Sequence, residues 1–156
     1  METLRFVTGD ATAPVADGNK IIAHVCNDIG GWGRGFVVAI SRRWPEPERE
    51  FRRWYADGAG FALGATRLVQ VEPETWVANM IGQHGLRTGA EGPPIRYQAV
   101  EQCLDTLAGH AATLNASVHL PRIGCGLAGG KWVEIEPIIV RTLCARDIPT
   151  TVYDLG

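Results

Sequence analysis

Apolar residues recur along this chain in short blocks whose spacing alternates between that of strands and that of helices. Six blocks rich in β-branched and aromatic residues predict strands, at residues 3–8, 20–26, 66–71, 75–81, 117–121 and 150–154. Block 20–26 is almost continuously apolar, which is typical of a strand covered on both faces. A turn at Pro73 separates two of the blocks, so 66–71 and 75–81 predict a hairpin.

Four segments between the strands predict helices, at residue 36 to Pro45, 46–57, 95 to about 114 and 131–145. Pro45 ends the first, because proline cannot continue a helix, whereas Pro137 is expected in the first turns of the last. Segment 82–94, with four glycines and two prolines, predicts a loop. The alternation predicts a three-layer α/β/α sandwich with a central mixed, mostly parallel sheet of about six strands.

Length and composition fit one globular domain over residues 1–156. The chain is 46% hydrophobic and 21% charged, which is ordinary for a globular protein. A domain of this length buries enough surface to fold without a disulfide or a metal. The formal net charge of −2 argues against DNA binding through bulk positive charge. We expect a monomer without a metal or other cofactor.

The spacing of the cysteines and the character of the first residues indicate in which cellular compartment the protein is expected. The four cysteines form no C-x-x-C pair, so a structural zinc site is not expected. The first residues lack the layout of a signal peptide, and no apolar run approaches the roughly 20 residues that span a bilayer. These features predict a cytoplasmic protein with reduced thiols and no membrane partner.

Two glycine-rich stretches, 30–35 and 124–130, each follow a predicted strand and precede a predicted helix. Glycine permits positive φ and lets a ligand approach the backbone closely. Exposed amides at a helix start form an anion site. One such loop indicates one phosphate group, and two loops at the ends of two strands indicate a diphosphate held between them. The alternative is that both are simply tight turns.

Two other phosphate-binding motifs fit the second loop poorly. Residues 124–129 match the G-x-G-x-x-G pattern of dinucleotide-binding folds. That fold needs further parallel strands after the motif, whereas only one predicted helix and one strand remain. A Walker A loop is excluded because Lys131 is followed by Trp132 rather than serine or threonine.

Three tracts together resemble the macrodomain family: 7–12 (VTGDAT), 22–35 (IAHVCNDIGGWGRG) and 121–127 (PRIGCGL). The last is similar to the loop of the branch that includes terminal ADP-ribose protein glycohydrolase. Tract 26–35 also resembles yeast-type ADP-ribose-1''-phosphate phosphatases. The order of strands and helices agrees with the family over nearly the whole chain, and the resemblance implies ADP-ribose or ADP-ribosylated proteins as the ligand.

The resemblance also implies roles for individual residues. Asp10, with Ala11 beside it, would meet the adenine amino group, and Tyr153 would pack near the adenine or its ribose. Backbone amides of the two loops would hold the diphosphate, and Asn27 would lie near the distal ribose. The ligand-binding set thus comprises Asp10, Ala11, Asn27, Gly31, Trp32, Gly33, Arg34, Gly35, Phe36, Arg122, Ile123, Gly124, Cys125, Gly126, Leu127 and Tyr153. Trp32 would either cover the ligand or pack against the domain, and Cys125 is expected to be a small buried thiol rather than a nucleophile.

The catalytic residues of the resembled glycohydrolase branch are not matched. Its lysine after the fourth strand and its aspartate after the second loop correspond here to Gln83 and Ala128. Lysine-adduct chemistry is therefore not available. The remaining catalytic candidates are Asp28, His84 and Asn27. A carboxylate can orient or deprotonate a water, histidine titrates near neutral pH, and the resemblance implies that Asn27 lies near the distal ribose, where the chemistry occurs. His24, on the buried second strand, is expected to be a core histidine, although the yeast-type phosphatases have a matching one.

We therefore expect an ADP-ribose-binding hydrolase that removes mono-ADP-ribose from the acidic side chains of modified proteins or hydrolyses related ADP-ribose derivatives. Two alternatives stay open at this point: a non-catalytic ADP-ribose reader, consistent with the missing lysine and aspartate, and an ADP-ribose-1''-phosphate phosphatase, consistent with tract 26–35.

Overall fold

The computed structural model describes residues 3–155. In this range the strands are β1 (Arg5–Thr8), β2 (Lys20–Asn27), β3 (Thr66–Glu72), β4 (Thr75–Gln83), β5 (Ser117–Leu120) and β6 (Thr150–Asp154). The helices are α1 (Phe36–Arg43), α2 (Glu46–Asp57), α3 (Tyr97–Leu114) and α4 (Trp132–Thr142), followed by a 3-10 turn at Cys144–Arg146. All six predicted strands and four predicted helices are present.

The strands form one sheet in the order β1-β6-β5-β2-β4-β3. Every neighbouring pair is parallel except the β3–β4 hairpin, which is antiparallel. The predicted mixed, mostly parallel sheet is confirmed. β2 lies between β5 and β4 with both faces covered, which explains its nearly continuous apolar sequence.

Two hydrophobic cores fill the two sides of the sheet. Because successive strand residues point to opposite faces, Ile21 and Ala23 of β2 pack into one core with α3 and α4. Ile22 and Cys26 pack into the other core with α1 and α2. The predicted three-layer α/β/α sandwich is confirmed.

Several predicted boundaries differ from the structure by one to three residues, among them the end of β4, the start of α3 and the end of α4. Gln83 still belongs to β4, and its bridge to Ile95 draws the end of the following loop back to the sheet. The amide of Ile95 donates to the carbonyl of Ala128 at 3.0 Å. Because Ile95 is held in the bridge and Arg96 is extended (φ −127°, ψ 102°), α3 begins only at Tyr97. The last helix ends at Thr142 rather than residue 145, and a 3-10 turn follows. No helix within residues 3–155 has the length and apolar character to cross a bilayer.

The connections after β2 and β5 create a crevice. Although these strands are parallel neighbours, the chain leaves β2 toward α1 on one face and leaves β5 toward α4 on the other. In open α/β sheets, ligands bind where adjacent connections diverge in this way, outside the carboxyl ends of the strands. Both glycine-rich loops lie at this point.

Candidate functional site

A cleft of about 250 Å³ opens between the two glycine-rich loops. It is lined by residues from β2, α1, the end of β4 and the segment after β5: His24, Val25, Arg34, Gly35, Phe36, Val37, Gln83, Pro121, Arg122, Ile123, Gly124, Gly126, Leu127 and Ala128. A Cβ atom added at Gly35 would lie 3.7 Å from Leu127 Cδ1. The two loops therefore approach each other across the cleft.

The first loop presents unpaired amides at the start of α1. Gly35 precedes the helix with φ of 80°, a conformation that favours glycine, and no side chain caps the helix. Within residues 3–155, the amides of Arg34, Gly35 and Phe36 donate to no protein acceptor. A helix start with free N–H groups favours an anion. The exposed guanidinium of Arg34, on the cleft, adds positive charge.

The second loop is a compact turn. The amide of Gly130 donates to the carbonyl of Gly124 at 2.7 Å, and that of Gly129 donates to Gly126 at 3.0 Å. Gly124 has φ of 71°. In the part of the chain that the structure describes, the amides of Gly126 and Leu127 have no protein acceptor, so this loop also offers donors to the cleft.

Asn27 shapes the first loop through its side chain. Its Oδ1 accepts the amides of Gly31 at 2.8 Å and Ile29 at 3.0 Å, and its Nδ2 donates to the carbonyl of Gly31 at 2.8 Å. The side chain is buried and does not line the cleft. Asn27 therefore holds the backbone of the loop, and its predicted place near a distal ribose stays a prediction.

Asp28 and His84, 56 residues apart, form a close pair. Nδ1 of His84 lies 2.7 Å from Oδ2 of Asp28, and the amide of Gly85 donates to Oδ1 at 2.8 Å. The Asp28 side chain is 17% exposed and that of His84 is 61% exposed. Nε2 of Gln83, a residue on the cleft, donates to the carbonyl of Gly85 at 2.9 Å and so fixes the turn that carries His84. The structure thus brings the predicted catalytic residues Asp28 and His84 together next to Gln83, although neither of them lines the cleft.

Asp10 stabilises its own turn beyond β1. Its Oδ1 accepts the amide of Thr12 at 2.8 Å and the hydroxyl of Thr12 at 2.7 Å. Burial acts to raise the pKa of Asp10, but these bonds and the Arg43 guanidinium, 3.7 Å from Oδ2, lower it below its usual value. Ala11 is buried beside it. Neither residue lines the cleft, so their contact with an adenine stays a prediction.

Tyr153 is buried at the end of β6. Its hydroxyl lies 2.7 Å from Nδ1 of His119, whose Nε2 lies 2.7 Å from the hydroxyl of Ser117. Burial raises the pKa of Tyr153. Its ring packs near Gly9, where an added Cβ would lie 3.6 Å from Cδ2. Because the hydroxyl is used inside the protein, only the ring is left for the predicted contact with a nucleoside.

Trp32 packs into the domain, which decides between the two alternatives for its side chain. The indole is buried, its Nε1 donates to the hydroxyl of Ser41 at 2.8 Å, and its ring lies 5.5 Å from that of Phe51. It also meets His24 edge-on at 5.4 Å. Trp32 thus supports the floor of the cleft, and its predicted ligand contact would have to come from its backbone.

His24 is a buried, neutral histidine on the cleft wall. Its Nε2 lies 2.6 Å from Oδ1 of Asn79, whose Nδ2 donates to the carbonyl of Pro47 at 3.2 Å. This orientation of Asn79 makes Nε2 the protonated nitrogen. Burial lowers the pKa of His24 to about 4, although the hydrogen bond to Asn79 acts to raise it. His24 is satisfied in the core, as expected.

Two side chains of the second loop face other partners. The guanidinium of Arg122 forms two hydrogen bonds to Asp154, at 2.6 and 3.0 Å, and lies 4.8 Å from the centre of the Trp132 ring. Cys125 is half-buried rather than buried as expected. Burial raises its pKa, partly offset by the charge of Arg122, so the thiol is not an activated nucleophile.

The predicted set and the cleft lining overlap in part. Gly31, Gly33 and Cys125 belong to the loops without lining the cleft. Sequence reasoning did not assign a binding role to several lining residues: His24, Val25, Val37, Gln83, Pro121 and Ala128. They are strand-end and loop positions beside the glycines, and only the fold of the loops shows which of them face inward.

Comparison with known proteins places the chain among relatives of similar size. No protein-family model matches it. A macrodomain protein from Streptomyces coelicolor is 57% identical, with a TM-score of 0.89 over 99% of this chain and 100% of that chain. A protein of unknown function from Bacteroides thetaiotaomicron is 54% identical, with a TM-score of 0.97 over 98% of each chain.

Curated relatives are more distant. Chromodomain-helicase-DNA-binding protein 1-like from Mus musculus is 32% identical over 97% of this chain, which spans less than a fifth of the length of this relative and of its Danio rerio counterpart. An ADP-ribose 1''-phosphate phosphatase from Lodderomyces elongisporus is 24% identical over 88% of this chain and 91% of its own length. With the fold and more than half of the sequence shared along the full length of the Streptomyces protein, the chain belongs to the macrodomain family.

Proposed function

We propose that this protein binds ADP-ribose along the carboxyl edge of its sheet. The observation that carries the proposal is the single cleft into which both glycine-rich loops direct unpaired amides. Such paired donors complement a diphosphate better than one phosphate. A cleft of about 250 Å³ is smaller than most small-molecule pockets, so it suits the middle of a longer ligand whose ends lie outside it.

The order of the strands along the edge of the sheet provides positions for both ends of the ligand. Asp10 follows β1, the second loop follows β5, the first loop follows β2, and His84 follows β4. These strands belong to a run of five neighbours, whose ends span about 19 Å at 4.8 Å per gap. Adenosine at the β1 end, diphosphate between β2 and β5, and the distal ribose near the Asp28–His84 pair make one continuous path.

The Asp28–His84 pair supports hydrolysis at C1'' of the distal ribose. With Nδ1–H of His84 donated to Asp28, Nε2 is free to accept a proton, and Asp28 orients the ring. Water attacks C1'', its proton passes to Nε2, the C1''–O bond breaks, and the acidic side chain leaves as a carboxylate. The oxocarbenium-like character of such a transition state is favoured by the nearby Asp28 carboxylate. A carboxylate leaves without a general acid, and the water activated by His84 takes the place of a lysine nucleophile.

The test uses a protein substrate carrying labelled mono-ADP-ribose on glutamate. The wild type is expected to release free ADP-ribose, and Asp28→Asn and His84→Gln are each expected to slow release by about 100-fold while still binding ADP-ribose in calorimetry. His110→Gln, on α3 far from the cleft, is the matched histidine control. Binding without release by the wild type would make the protein a reader instead.

A second candidate is a phosphatase for ADP-ribose 1''-phosphate. It is favoured by the name of the Lodderomyces relative and by the likeness of tract 26–35 to that group. The same base could direct water to phosphorus instead of carbon. Release of inorganic phosphate from ADP-ribose 1''-phosphate, lost in Asp28→Asn, would support this activity.

A further inference from the structure

Three exposed apolar side chains lie on or against the first glycine-rich loop, and we call them the apolar rim: Ile29, Tyr55 and Leu86. They are 47%, 48% and 54% exposed. They come from three separate segments, namely the first loop, α2 and the loop after β4. Single exposed apolar residues are ordinary, but a group gathered from distant segments marks an interaction surface.

The rim is built on the glycine backbone of the first loop. A Cβ at Gly30 would lie 2.4 Å from Cδ2 of Tyr55, and one at Gly31 would lie 3.5 Å from Cδ1 of Leu86. The Tyr55 ring also packs edge-on against Phe61 at 5.2 Å. The two rim side chains therefore rest on the loop itself, in fixed positions rather than as free surface groups.

The rim adjoins the Asp28–His84 pair on both sides. Ile29 follows Asp28 in the chain. Leu86 follows Gly85, whose amide donates to Asp28 Oδ1. A group attached to C1'' of a ribose bound near this pair would therefore lie close to these side chains.

On the basis of the proposed function, we propose that the apolar rim binds the polypeptide that carries ADP-ribose, and that it selects acidic segments with an apolar residue beside the modified position. Tyrosine and leucine at the mouth of a site supply contact area at low conformational cost. A positive charge next to the rim supports the preference for acidic segments. Arg87, the next residue after Leu86, is exposed and has no acidic partner within residues 3–155, so it complements further acidic residues of the carrier.

The experiment measures binding rather than turnover. Two acidic peptides carry ADP-ribose through a non-hydrolysable linkage, one with leucine beside the modified residue and one with serine there. Free ADP-ribose is the third ligand. The wild type is expected to bind the leucine peptide about tenfold more tightly than the serine peptide or free ADP-ribose.

The variants are Leu86→Ser alone, which leaves α2 intact, and Tyr55→Ser with Leu86→Ser. Both are expected to lose the preference for the leucine peptide and to keep the affinity for free ADP-ribose. Val133→Ser removes an even more exposed apolar side chain (74%) from α4 and is expected to change nothing. Melting temperatures show that each variant is folded.

Each other outcome overturns the proposal in a distinct way. Equal affinity of the wild type for both peptides, or unchanged selectivity in the variants, would show that the rim does not contact the carrier. Loss of free ADP-ribose binding in folded Leu86→Ser would show that Leu86 only shapes the loop. A wild type that binds no ADP-ribose at all would instead refute the proposed function itself.

Discussion

The free energy of unfolding of this protein is expected to fall between about pH 7.5 and about pH 5. Replacing His24 with glutamine is expected to make that fall smaller. His24 is buried in the cleft wall and donates from Nε2 to Asn79. Within residues 3–155, only the Cys26 thiol, 3.9 Å away, is in hydrogen-bonding range of Nδ1. A second proton would therefore create a buried cation without an acceptor. Burial lowers the pKa of His24 from 6.5 to about 4, and burial lowers the pKa of His119 to the same value.

The sign and size follow from proton linkage. Because the pKa is lower in the folded protein, the unfolded chain binds more protons, and stability is complete above pH 6.5 and falls as the pH drops toward 4. At about pH 5 each histidine raises the unfolding equilibrium constant by a factor of about 30, which lowers the free energy of unfolding by about 2 kcal/mol. The two together give about 4 kcal/mol. Carboxylates with lowered pKa values add little above pH 5, since their usual values are 3.8 and 4.5.

The assay is urea unfolding at both pH values. The wild type is expected to lose about 4 kcal/mol between them, and His24→Gln about 2 kcal/mol, because glutamine does not titrate. His119→Gln is the matched variant and should behave alike. The comparison is between pH values within one variant, so any packing loss caused by the substitution cancels. If His24→Gln lost as much stability as the wild type, the assignment of His24 as a buried neutral group would be wrong.

Two further predictions concern glycines. Gly126 lines the cleft, and an added Cβ would meet no atom within 4 Å. Gly126→Val should therefore keep the melting temperature of the wild type but bind ADP-ribose at least about tenfold more weakly in calorimetry, because the valine side chain occupies space for the ligand. Unchanged affinity would argue against a diphosphate at this loop. Gly109 is exposed in the interior of α3, with no neighbour near its Cβ position and no positive φ. Gly109→Ala should therefore raise the free energy of unfolding by about 0.5–1 kcal/mol. A lower free energy of unfolding in urea experiments would contradict this.

The sequence predicted the layers of the fold because local spacing determines them. The strand pattern of 20–26 and the acidic start of α2 are properties of a few adjacent residues, and both elements are where they were expected. Boundaries failed where tertiary contacts decide them. Ile95, for example, reads as helical in the sequence, but its amide is used by Ala128 across the fold.

The site was predictable to the level of its loops but not of its side chains. Glycine content and position indicated both loops. The pairing of Asp28 with His84 depends on how β2 and β4 lie side by side, and no local signal reports a contact across 56 residues. Trp32 shows the same limit, since only packing against Phe51 and Ser41 reveals that an aromatic residue in a glycine loop points inward.

The line of strand ends has a consequence for how this protein can change over evolution. Hydrogen bonding within the sheet sets the separation between neighbouring strand ends, so loop substitutions alter one subsite without shifting the others. His84 follows β4, which is next to β2 on one side. Asp10 follows β1, which lies three strands from β2 on the other side. Along the proposed ligand path, new chemistry can therefore arise near His84 while the proposed nucleoside contact at Asp10 is inherited unchanged.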